Sequence, residues 1–524
     1  MANGQVKFTS ILGKLFAVRN RQADIWCSRR GERGIHDRHS CQSRNRDCTA
    51  PGGMTVSAFA ELRSRKLDDQ HRLVTAPSGR FFSASQELQA RFDNDALLSA
   101  DEQWLEANGF LGTSLLGKHA ERFVRARRQT PIAPLDYLIL VPTLRCNLAC
   151  SYCQVSRADE GAQGFDWNEK TLAAIKKLVG TLNVPAAKIE FQGGEPTLRP
   201  DLIRAVIEAA PAKIEMTYVI CTNLQTINAE ILDLFDRPDV QISTSLDADP
   251  GTHARQRQGD IGATEQFFTN LDWLLERYGP GKISALPTID PRSPPEIDDL
   301  INAYASRGLT SIYLRPINYQ GFARKRHPHS LAQDKSWHDY HERFLFALIE
   351  RNWSRQQDAI IEESYFSHLL RRIFRPGQDR HVDLRNPNPI GRDYVVIDYD
   401  GRAYPSDEAR MLVRSGVIDL SIGDVISGWN TPERDALEQA ATSFGDPACD
   451  TCSYQPYCGR DIVDDIARYG TVDLPRNQTE FCRRHIHLFD LAFRLIYSND
   501  EAVQYSLRRW LGLAGDTVKL GAAR

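Results

Sequence analysis

The chain has 524 residues, a formal net charge of −3, 41% hydrophobic residues and 25% charged residues. This length predicts two or three domains, and the small net charge argues against general electrostatic binding to nucleic acid or to an anionic membrane. No apolar run is long enough to span a bilayer. Lys14 interrupts the short apolar run near the N-terminus, so we expect a cytoplasmic protein whose eleven cysteines are free, metal-bound or catalytic.

Residues 1–53 differ in composition from the rest of the chain. They are rich in Arg, Ser, Asn and Gly and have little apolar periodicity, which predicts a disordered leader. The alternative is a small zinc site, although no CxxC pair supports it. Its candidate ligands are Cys27, His36, His39, Cys41 and Cys48.

Residues 54–125 predict a small α+β unit. The segment 73–83 has the pattern of a hairpin that turns at Pro77-Ser78-Gly79, and helices follow at 85–91 and 98–108. A hairpin with helices fits a peptide-docking module and a plain structural cap equally well.

Residues 131–320 alternate between strand and helix patterns. Six strands that alternate with five helices predict an α/β fold of parallel βα units, here a partial (β/α)6 TIM-like barrel. In such barrels the chemistry collects where strands end and loops begin. The predicted strands are 137–141, 188–191, 217–221, 241–245, 283–287 and 311–314, and the helices lie near 168–182, 201–210, 226–236, 264–278 and 295–307.

The remaining residues predict three further segments. A helical connector at 321–384 precedes a second cysteine-rich domain at 385–500, which begins with a hairpin around Asp400-Gly401. That domain closes with a helix at 485–497, and 501–524 are expected to be a tail.

Three cysteines follow the first barrel strand: Cys146, Cys150 and Cys153. Three thiolates cannot complete a tetrahedral zinc site without a fourth ligand. They can hold three irons of a four-iron cluster and leave the fourth iron open for chemistry. The second barrel strand is followed by Gly193, Gly194, Glu195 and Pro196. Glycines let the backbone approach a ligand closely, and Glu195 supplies a carboxylate for an ammonium group.

Together the cysteine loop and the GGEP sequence resemble the radical S-adenosylmethionine (SAM) superfamily. The resemblance implies that the three cysteines bind a [4Fe–4S] cluster and that GGEP binds the methionyl amine of SAM. It also implies cofactor contacts from polar side chains at the ends of later strands, from an arginine after the fourth strand, and from an aromatic residue near the adenine. The matching positions are Tyr152, Thr222, Asn223, Ser245, Asp247, Arg257 and Arg315.

The second cysteine group resembles the auxiliary-cluster (SPASM) domain of radical SAM maturases. That family pattern has seven cysteines for two extra clusters, but here Ser406, Ser421 and Ile462 stand at three of those places. The missing cysteines serve the nearer cluster, so the resemblance implies one fully ligated auxiliary [4Fe–4S] cluster. A structural zinc on the same thiolates is the alternative. The remaining ligands are Cys449, Cys452, Cys458 and Cys482.

Across residues 60–490 the chain looks like maturase B of the His-Xaa-Ser peptide system. The sequences CNLACSYCQVSRA, FQGGEPTLRPDL and CSYQPYCGR support this resemblance. It implies cleavage of SAM to a 5′-deoxyadenosyl radical, a ribosomally made peptide substrate with His-Xaa-Ser repeats, a sister maturase, and a flavodoxin- or ferredoxin-type electron donor. No catalytic residue beyond the cofactor ligands is identified. The alternatives are a sulfatase-type maturase and a non-catalytic iron–sulfur or zinc scaffold.

Overall fold

The computed structural model describes residues 62–111, 115–128, 133–257, 261–318, 320–327, 334–375, 381–513 and 519–521. The predicted leader, with its alternative zinc site, lies outside these residues.

The N-terminal unit is a three-stranded antiparallel sheet followed by helices. The predicted hairpin is confirmed as β2 and β3, and β1 adds to the free side of β2. Gly79 turns the chain with φ +86°, a conformation that favours glycine. Val74, Phe82 and Leu105 form a separate small core. The strands are β1 Arg63–Lys66, β2 His71–Thr75 and β3 Phe81–Ser85, and the helices are Gln86–Asp93, Ser99–Ala107 and Leu115–Arg127.

The main sheet confirms the predicted α/β class. In the described part of the chain it has eight strands in the order β10-β9-β8-β7-β4-β15-β16-β17, and the first six of these strands are all parallel to their neighbours. The first barrel strand is buried along almost its whole length, as expected for a strand covered on both faces. The strands of this sheet are β4 Tyr137–Thr143 (the first barrel strand), β7 Ala186–Gly193, β8 Glu215–Cys221, β9 Val240–Ser245, β10 Ile283–Leu286, β15 Tyr394–Ile397, β16 Arg402–Tyr404 and β17 Gly423–Asp424.

The sixth barrel strand differs from the prediction. Pro287 interrupts the fifth strand, and the chain resumes as Thr288–Ile289, which pairs in parallel with Arg315–Pro316. The predicted strand 311–314 is therefore split, because its first two residues pair instead with Glu362–Glu363. Proline lacks a ladder donor, so the fifth strand cannot continue without a break. The short strands are β5 Arg145–Cys146, β6 Ala158–Asp159, β11 Thr288–Ile289, β12 Ser311–Ile312, β13 Arg315–Pro316 and β14 Glu362–Glu363.

Amphipathic helices cover the sheet and continue into the connector. Ile203 and Val206 on one helix, for example, are fully buried because they recur on the same helical face. The α-helices are Glu169–Gly180, Pro200–Ile207, Ala229–Phe235, Pro250–Arg257, Ile261–Tyr278, Ile297–Ala305, Ala323–Arg326, Asp334–Ser354, Ser364–Phe374, Asp407–Arg414, Pro432–Ala440, Pro447–Asp450, Ile462–Tyr469, Glu480–Ile496 and Glu501–Trp510. Short 3₁₀ turns lie at Pro196–Leu198, Pro280–Lys282, Val382–Leu384 and Arg476–Gln478.

The hairpin predicted around Asp400-Gly401 is confirmed, and it extends the barrel sheet. Strand β15 pairs antiparallel with β16 and parallel with β4, from Tyr394↔Tyr137 to Ile397↔Leu140. The second cysteine-rich region and the barrel therefore share one hydrogen-bonded sheet.

The expected tail at 501–524 is wrong for its first ten residues, which form the helix Glu501–Trp510. The carboxylate of Asp500 caps this helix by accepting from the backbone amide of Ala502 at 2.8 Å. Val503, Leu507 and Trp510 are buried, and the indole of Trp510 donates to the carbonyl of Ile361 at 3.0 Å. None of the described helices is long and apolar enough to cross a membrane.

Candidate cofactor and metal sites

The carboxyl ends of the parallel strands open into a cavity of about 440 Å³. The structure brings most of the predicted cofactor residues to this one cavity. Pro196 and Asp247 lie just behind the wall, where both are buried. The residues at the wall are Cys146, Cys150, Tyr152, Cys153, Gly193, Gly194, Glu195, Thr222, Asn223, Ser245, Arg257 and Arg315.

The cysteine loop is braced from two sides. Within the loop, the amide of Leu148 points at the sulfur of Cys146 at 3.4 Å, a contact that favours a thiolate. From outside, the amide of Ala323 donates to the carbonyl of Cys153 at 3.2 Å. Burial, the nearby Glu195 carboxylate and the other two thiols raise the pKa of Cys146 to about 12. The loop is thus held in place, and the Cys146 thiol stays protonated until a metal displaces the proton.

The carboxylate of Glu195 joins the GGEP sequence to the next strand. One oxygen accepts from the amide and hydroxyl of Thr197 at 3.1 and 2.7 Å, and the other accepts from the amide of Asn223 at 2.7 Å. Burial raises the pKa of this carboxyl group. Asn223 in turn donates from its side chain to Asn147 at 2.8 Å and lies 3.8 Å from the Cys146 sulfur. The GGEP motif and the cysteine loop are therefore joined by hydrogen bonds through Asn223.

The two glycines of this motif line the cavity and also pack against the backbone of the preceding loop. A Cβ on Gly193 would lie 2.2 Å from the carbonyl oxygen of Thr143, and one on Gly194 would lie 2.2 Å from that of Arg145. Gly193 also has φ +142°. The glycines are required because the GGEP loop packs directly on the backbone that leads into the cysteine loop, where no side chain fits.

Tyr152, Asp247 and Arg257 form a buried network at the base of the cavity. The phenol of Tyr152 donates to Asp247 at 2.8 Å, and Arg257 donates from Nε to the Tyr152 oxygen at 3.0 Å and to Asp247 at 3.3 Å. The other Asp247 oxygen accepts from the amide of Thr288 at 2.9 Å. Asp247 thus positions Tyr152 and Arg257. These two side chains line the cavity, whereas Asp247 does not.

The remaining predicted cofactor residues are Thr222, Ser245 and Arg315, and all three lie at the cavity wall. Thr222 accepts the amide of Leu224 at 3.1 Å, and Ser245 ends strand β9 at the cavity. Nε of Arg315 is buried and, within the described residues, has no hydrogen-bond partner. Its guanidinium lies at the wall, where it can meet an anionic group of a bound molecule.

A carboxylate that was not predicted from the sequence also lines this cavity. Glu190 accepts from Tyr137 at 2.8 Å, from Gln192 at 2.6 Å and from the thiol of Cys221 at 3.4 Å. Burial opposes ionisation, but Lys188 and these hydrogen bonds hold the pKa of Glu190 below its usual value. The polar residues 190 and 192 alternate with buried apolar neighbours in β7, so the two-residue period of a strand could have identified them.

The four C-terminal cysteines come together outside this cavity. Cys449 lies in the helix Pro447–Asp450, Cys452 and Cys458 lie in the following loop, and Cys482 lies in the first turn of Glu480–Ile496. Burial and proximity to the other three thiols raise the pKa of Cys458. The amide of Tyr454 points at the Cys452 sulfur at 3.4 Å, as in the first cysteine loop. Across all described residues, no three His, Cys, Asp or Glu side chains converge on the position of a single ion.

The positions at which the SPASM pattern has further cysteines serve other purposes here. Ser406 caps the helix Asp407–Arg414 by accepting from the amide of Ala409 at 3.2 Å. The amide of Ser421 donates to Asp419 at 2.9 Å in a turn, and Ile462 is a fully buried core residue.

Comparison with known proteins gives two results. Residues 140–304 match the model of the Radical SAM superfamily. The chain is 29% identical over 118 residues to GTP 3′,8-cyclase of Campylobacter lari, and 28% identical over 116 residues to an uncharacterised protein of Methanocaldococcus jannaschii. Each alignment covers 22% of this chain, and 35% and 39% of the respective relatives, so the chain spans well under half of the length of these relatives.

The fold itself is similar to solved structures of anSMEcpe. The structure of native anSMEcpe with bound AdoMet superposes with a TM-score of 0.57 at 16% identity and covers 69% of this chain and 97% of that protein. A second structure of anSMEcpe, with bound AdoMet and Cp18Cys peptide, gives a TM-score of 0.53 at 17% identity. At these identities the likeness establishes the fold.

Proposed function

We propose, because residues 140–304 match the model of the Radical SAM superfamily, that the chain is an enzyme that reductively cleaves SAM and modifies a ribosomally made peptide. The observation that supports this most strongly is the assembly of Cys146, Asn223 and Glu195, which joins three candidate thiolate ligands to the GGEP carboxylate at one cavity. When bound, a [4Fe–4S] cluster and SAM would supply a one-electron reductive cleavage of SAM to methionine and a 5′-deoxyadenosyl radical, with the electron coming from an external reductant.

The residues of this chain have three proposed roles, which are to bind the cluster, to bind SAM and to exclude water. Cys146, Cys150 and Cys153 would hold the cluster, and Glu195 would accept a hydrogen bond from the methionyl ammonium. Arg315, Ser245 and Thr222 are polar residues at the cavity wall and would contact the ribose and carboxylate of the cofactor. The Tyr152–Asp247–Arg257 network fixes the cavity base and excludes water from it, since all three side chains are buried.

The donor set fits the cofactors that this proposal requires. Three thiols face one cavity, a backbone amide points at the sulfur of Cys146, and a buried carboxylate lies beside them. Four thiols complete the ligand set of either a cubane, in which each thiolate binds a different iron, or a tetrahedral zinc. We favour the cubane because the three-cysteine loop already requires iron–sulfur assembly. We propose one auxiliary [4Fe–4S] cluster on Cys449, Cys452, Cys458 and Cys482.

The test is anaerobic reconstitution with iron and sulfide, followed by SAM and dithionite. Formation of 5′-deoxyadenosine and methionine is expected. If neither forms while the protein holds its iron, the enzyme proposal fails and the non-catalytic scaffold replaces it. A flavodoxin or ferredoxin is the electron donor that we propose in place of dithionite. A cytoplasmic location belongs to the same proposal, because iron–sulfur clusters need reduced thiols, which the cytosol maintains.

The substrate proposed is a peptide with His-Xaa-Ser repeats, handled together with a sister radical SAM maturase. This part rests on the sequence resemblance. The solved structure of anSMEcpe, which has a similar fold, contains a bound peptide. This supports the proposal of a peptide substrate for the present chain. A neighbouring gene for a short His-Xaa-Ser peptide, and a mass change in that peptide after incubation with SAM and dithionite, are the expected findings. A mass change only in a peptide with a single Ser or Cys would favour the sulfatase-type maturase.

A further inference from the structure

The N-terminal sheet packs directly on the loop that joins two of the auxiliary thiols. Nη1 of Arg63, in strand β1, donates to the carbonyl oxygen of Cys452 at 3.3 Å and to the side-chain oxygen of Gln455 at 3.1 Å. These contacts join residues almost 400 positions apart in the chain. One of the two acceptors is the backbone of a proposed cluster ligand itself.

Two buried hydrogen bonds fix the same loop to the same unit. The hydroxyl of Thr75 donates to the carbonyl of Ser453 at 2.9 Å, and the phenol of Tyr457 donates to the carbonyl of Gly79 at 2.9 Å. Thr75 and Tyr457 are fully buried, where loss of a partner costs more than at the surface. The path of the loop from Cys452 to Cys458 is therefore set by the N-terminal unit as well as by its own turns.

A second arginine, Arg65, also lies beside this loop. Arg65 forms two 2.6 Å contacts with Asp490 and lies 5.3 Å from the ring centre of Tyr454, whose phenol also donates to Asp490 at 2.5 Å. Arg65 is thus neutralised locally by a carboxylate. Arg63 brings its guanidinium to the side-chain oxygen of Gln455 and to the carbonyl of a proposed ligand residue.

We propose that Arg63 is a positioning residue of the auxiliary metal centre, and that the N-terminal sheet sets both the stability and the reduction potential of that centre. The inference rests on the proposed assignment of the C-terminal thiols to a [4Fe–4S] cluster. Cluster potentials depend on net charge and on hydrogen bonding around the ligands. A positive charge beside Cys452 favours the reduced, more negative state and so raises the potential.

The experiment is a redox titration of the full-length, anaerobically reconstituted protein, followed by electron paramagnetic resonance. The SAM-site cluster is identified by the change in its signal on addition of SAM. Arg63→Gln should move the potential of the other cluster to a more negative value, and Arg63→Lys, which keeps the charge, should restore most of it. Lys66→Gln is the matched control, because Lys66 lies in the same strand but is exposed and pairs with Asp69. The SAM-site potential should not change in any variant.

A second variant tests the buried contacts without changing charge. Thr75→Val removes the hydroxyl at nearly constant volume, and we expect faster loss of iron from the auxiliary centre on exposure to a chelator than in Lys66→Gln. If Arg63→Gln does not fold, the Thr75→Val variant provides the test. Iron retention in Thr75→Val equal to that of the wild type would overturn the proposal.

The outcomes separate this inference from the function on which it rests. A wild-type protein with only the SAM-responsive cluster would overturn the auxiliary cluster and with it the role of Arg63. Two clusters in the wild type, with an unchanged potential in Arg63→Gln, would overturn the role of Arg63 alone. Equal shifts in Arg63→Gln and Lys66→Gln would also overturn it, because they would show a general charge effect.

Discussion

The backbone amide of Asn223 lies 2.7 Å from the Glu195 carboxylate, and this hydrogen bond joins the ends of two adjacent parallel strands. The side chain of the same asparagine reaches the cysteine loop. Two motifs more than 40 residues apart in sequence are therefore fixed relative to each other before any cofactor binds. Such preorganisation avoids a rearrangement at the moment of reaction.

Replacing Glu195 with Gln should weaken SAM binding about 10- to 100-fold, because a hydrogen bond between charged groups contributes about 1.5–3 kcal/mol. The new amide also presents a donor either to Asn223 or to Thr197, so the melting temperature should fall. The measurement is the dissociation constant for SAM under anaerobic conditions. Glu208→Gln, at an exposed position after the next helix, is the control. Equal affinities in both variants would remove Glu195 from the proposed site.

Replacing Gly194 with Ala should abolish the SAM-site cluster while leaving the auxiliary cluster in place. The added methyl would lie 2.2 Å from the carbonyl oxygen of Arg145 and 2.4 Å from that of Leu144, so the cysteine loop must shift. Gly161→Ala is the matched control, because a Cβ there meets no atom within 4 Å. Iron content and 5′-deoxyadenosine formation are the measurements. Normal cluster content in Gly194→Ala would contradict the packing argument.

Cys150→Ala and Cys452→Ala should have different effects on cofactor cleavage. The first should abolish it, whereas the second should remove one cluster and spare some cleavage uncoupled from peptide modification. Iron in the wild type should be about eight atoms per chain rather than about twelve, since one auxiliary cluster is proposed. Equal loss of cleavage in both variants would show that the two centres do not have separate roles.

The stability of the protein should depend on His253 below pH 6.5. Burial, assisted by the charge of Arg257, lowers the pKa of His253 to about 2, and its ring stacks on Phe267 with centres 4.2 Å apart. The unfolded chain binds a proton near pH 6.5 and the folded chain does not, so stability present above that pH is lost as the pH falls. Denaturant titrations between pH 7.5 and 5.5 should show a steeper loss for the wild type than for His253→Gln, by up to about 1.4 kcal/mol per pH unit. Parallel curves would contradict a neutral buried histidine.

The strand pattern was sufficient to predict the first five barrel strands and the convergence of residues at their ends. Cys146, Glu195 and Asn223 each follow a strand, and the ends of parallel strands meet at one edge of a sheet. The apolar positions of Val503, Leu507 and Trp510 also have helical spacing, so the C-terminal helix was open to prediction. The two-residue period of β7 likewise contained the information that selects Glu190.

Other features depend on contacts between distant segments and could not be inferred from local pattern. The close approach of Gly194 to Arg145 requires the three-dimensional path of two loops. The pairing of Ser311–Ile312 with Glu362–Glu363 depends on where the connector returns to the sheet. The contact between Arg63 and Cys452 crosses nearly the whole chain, and nothing in either local sequence indicates the other.

The parallel pairing of Tyr394–Ile397 with Tyr137–Thr143 has a consequence for proteolysis and hydrogen exchange. Amide protons on both sides of this ladder should become exposed together, as one cooperative unit, because opening one strand breaks the hydrogen bonds of the other. A protease that cuts the chain between residues 321 and 384 should therefore nick it without releasing a fragment. The two cysteine-containing halves would stay together under native conditions and separate only in denaturant.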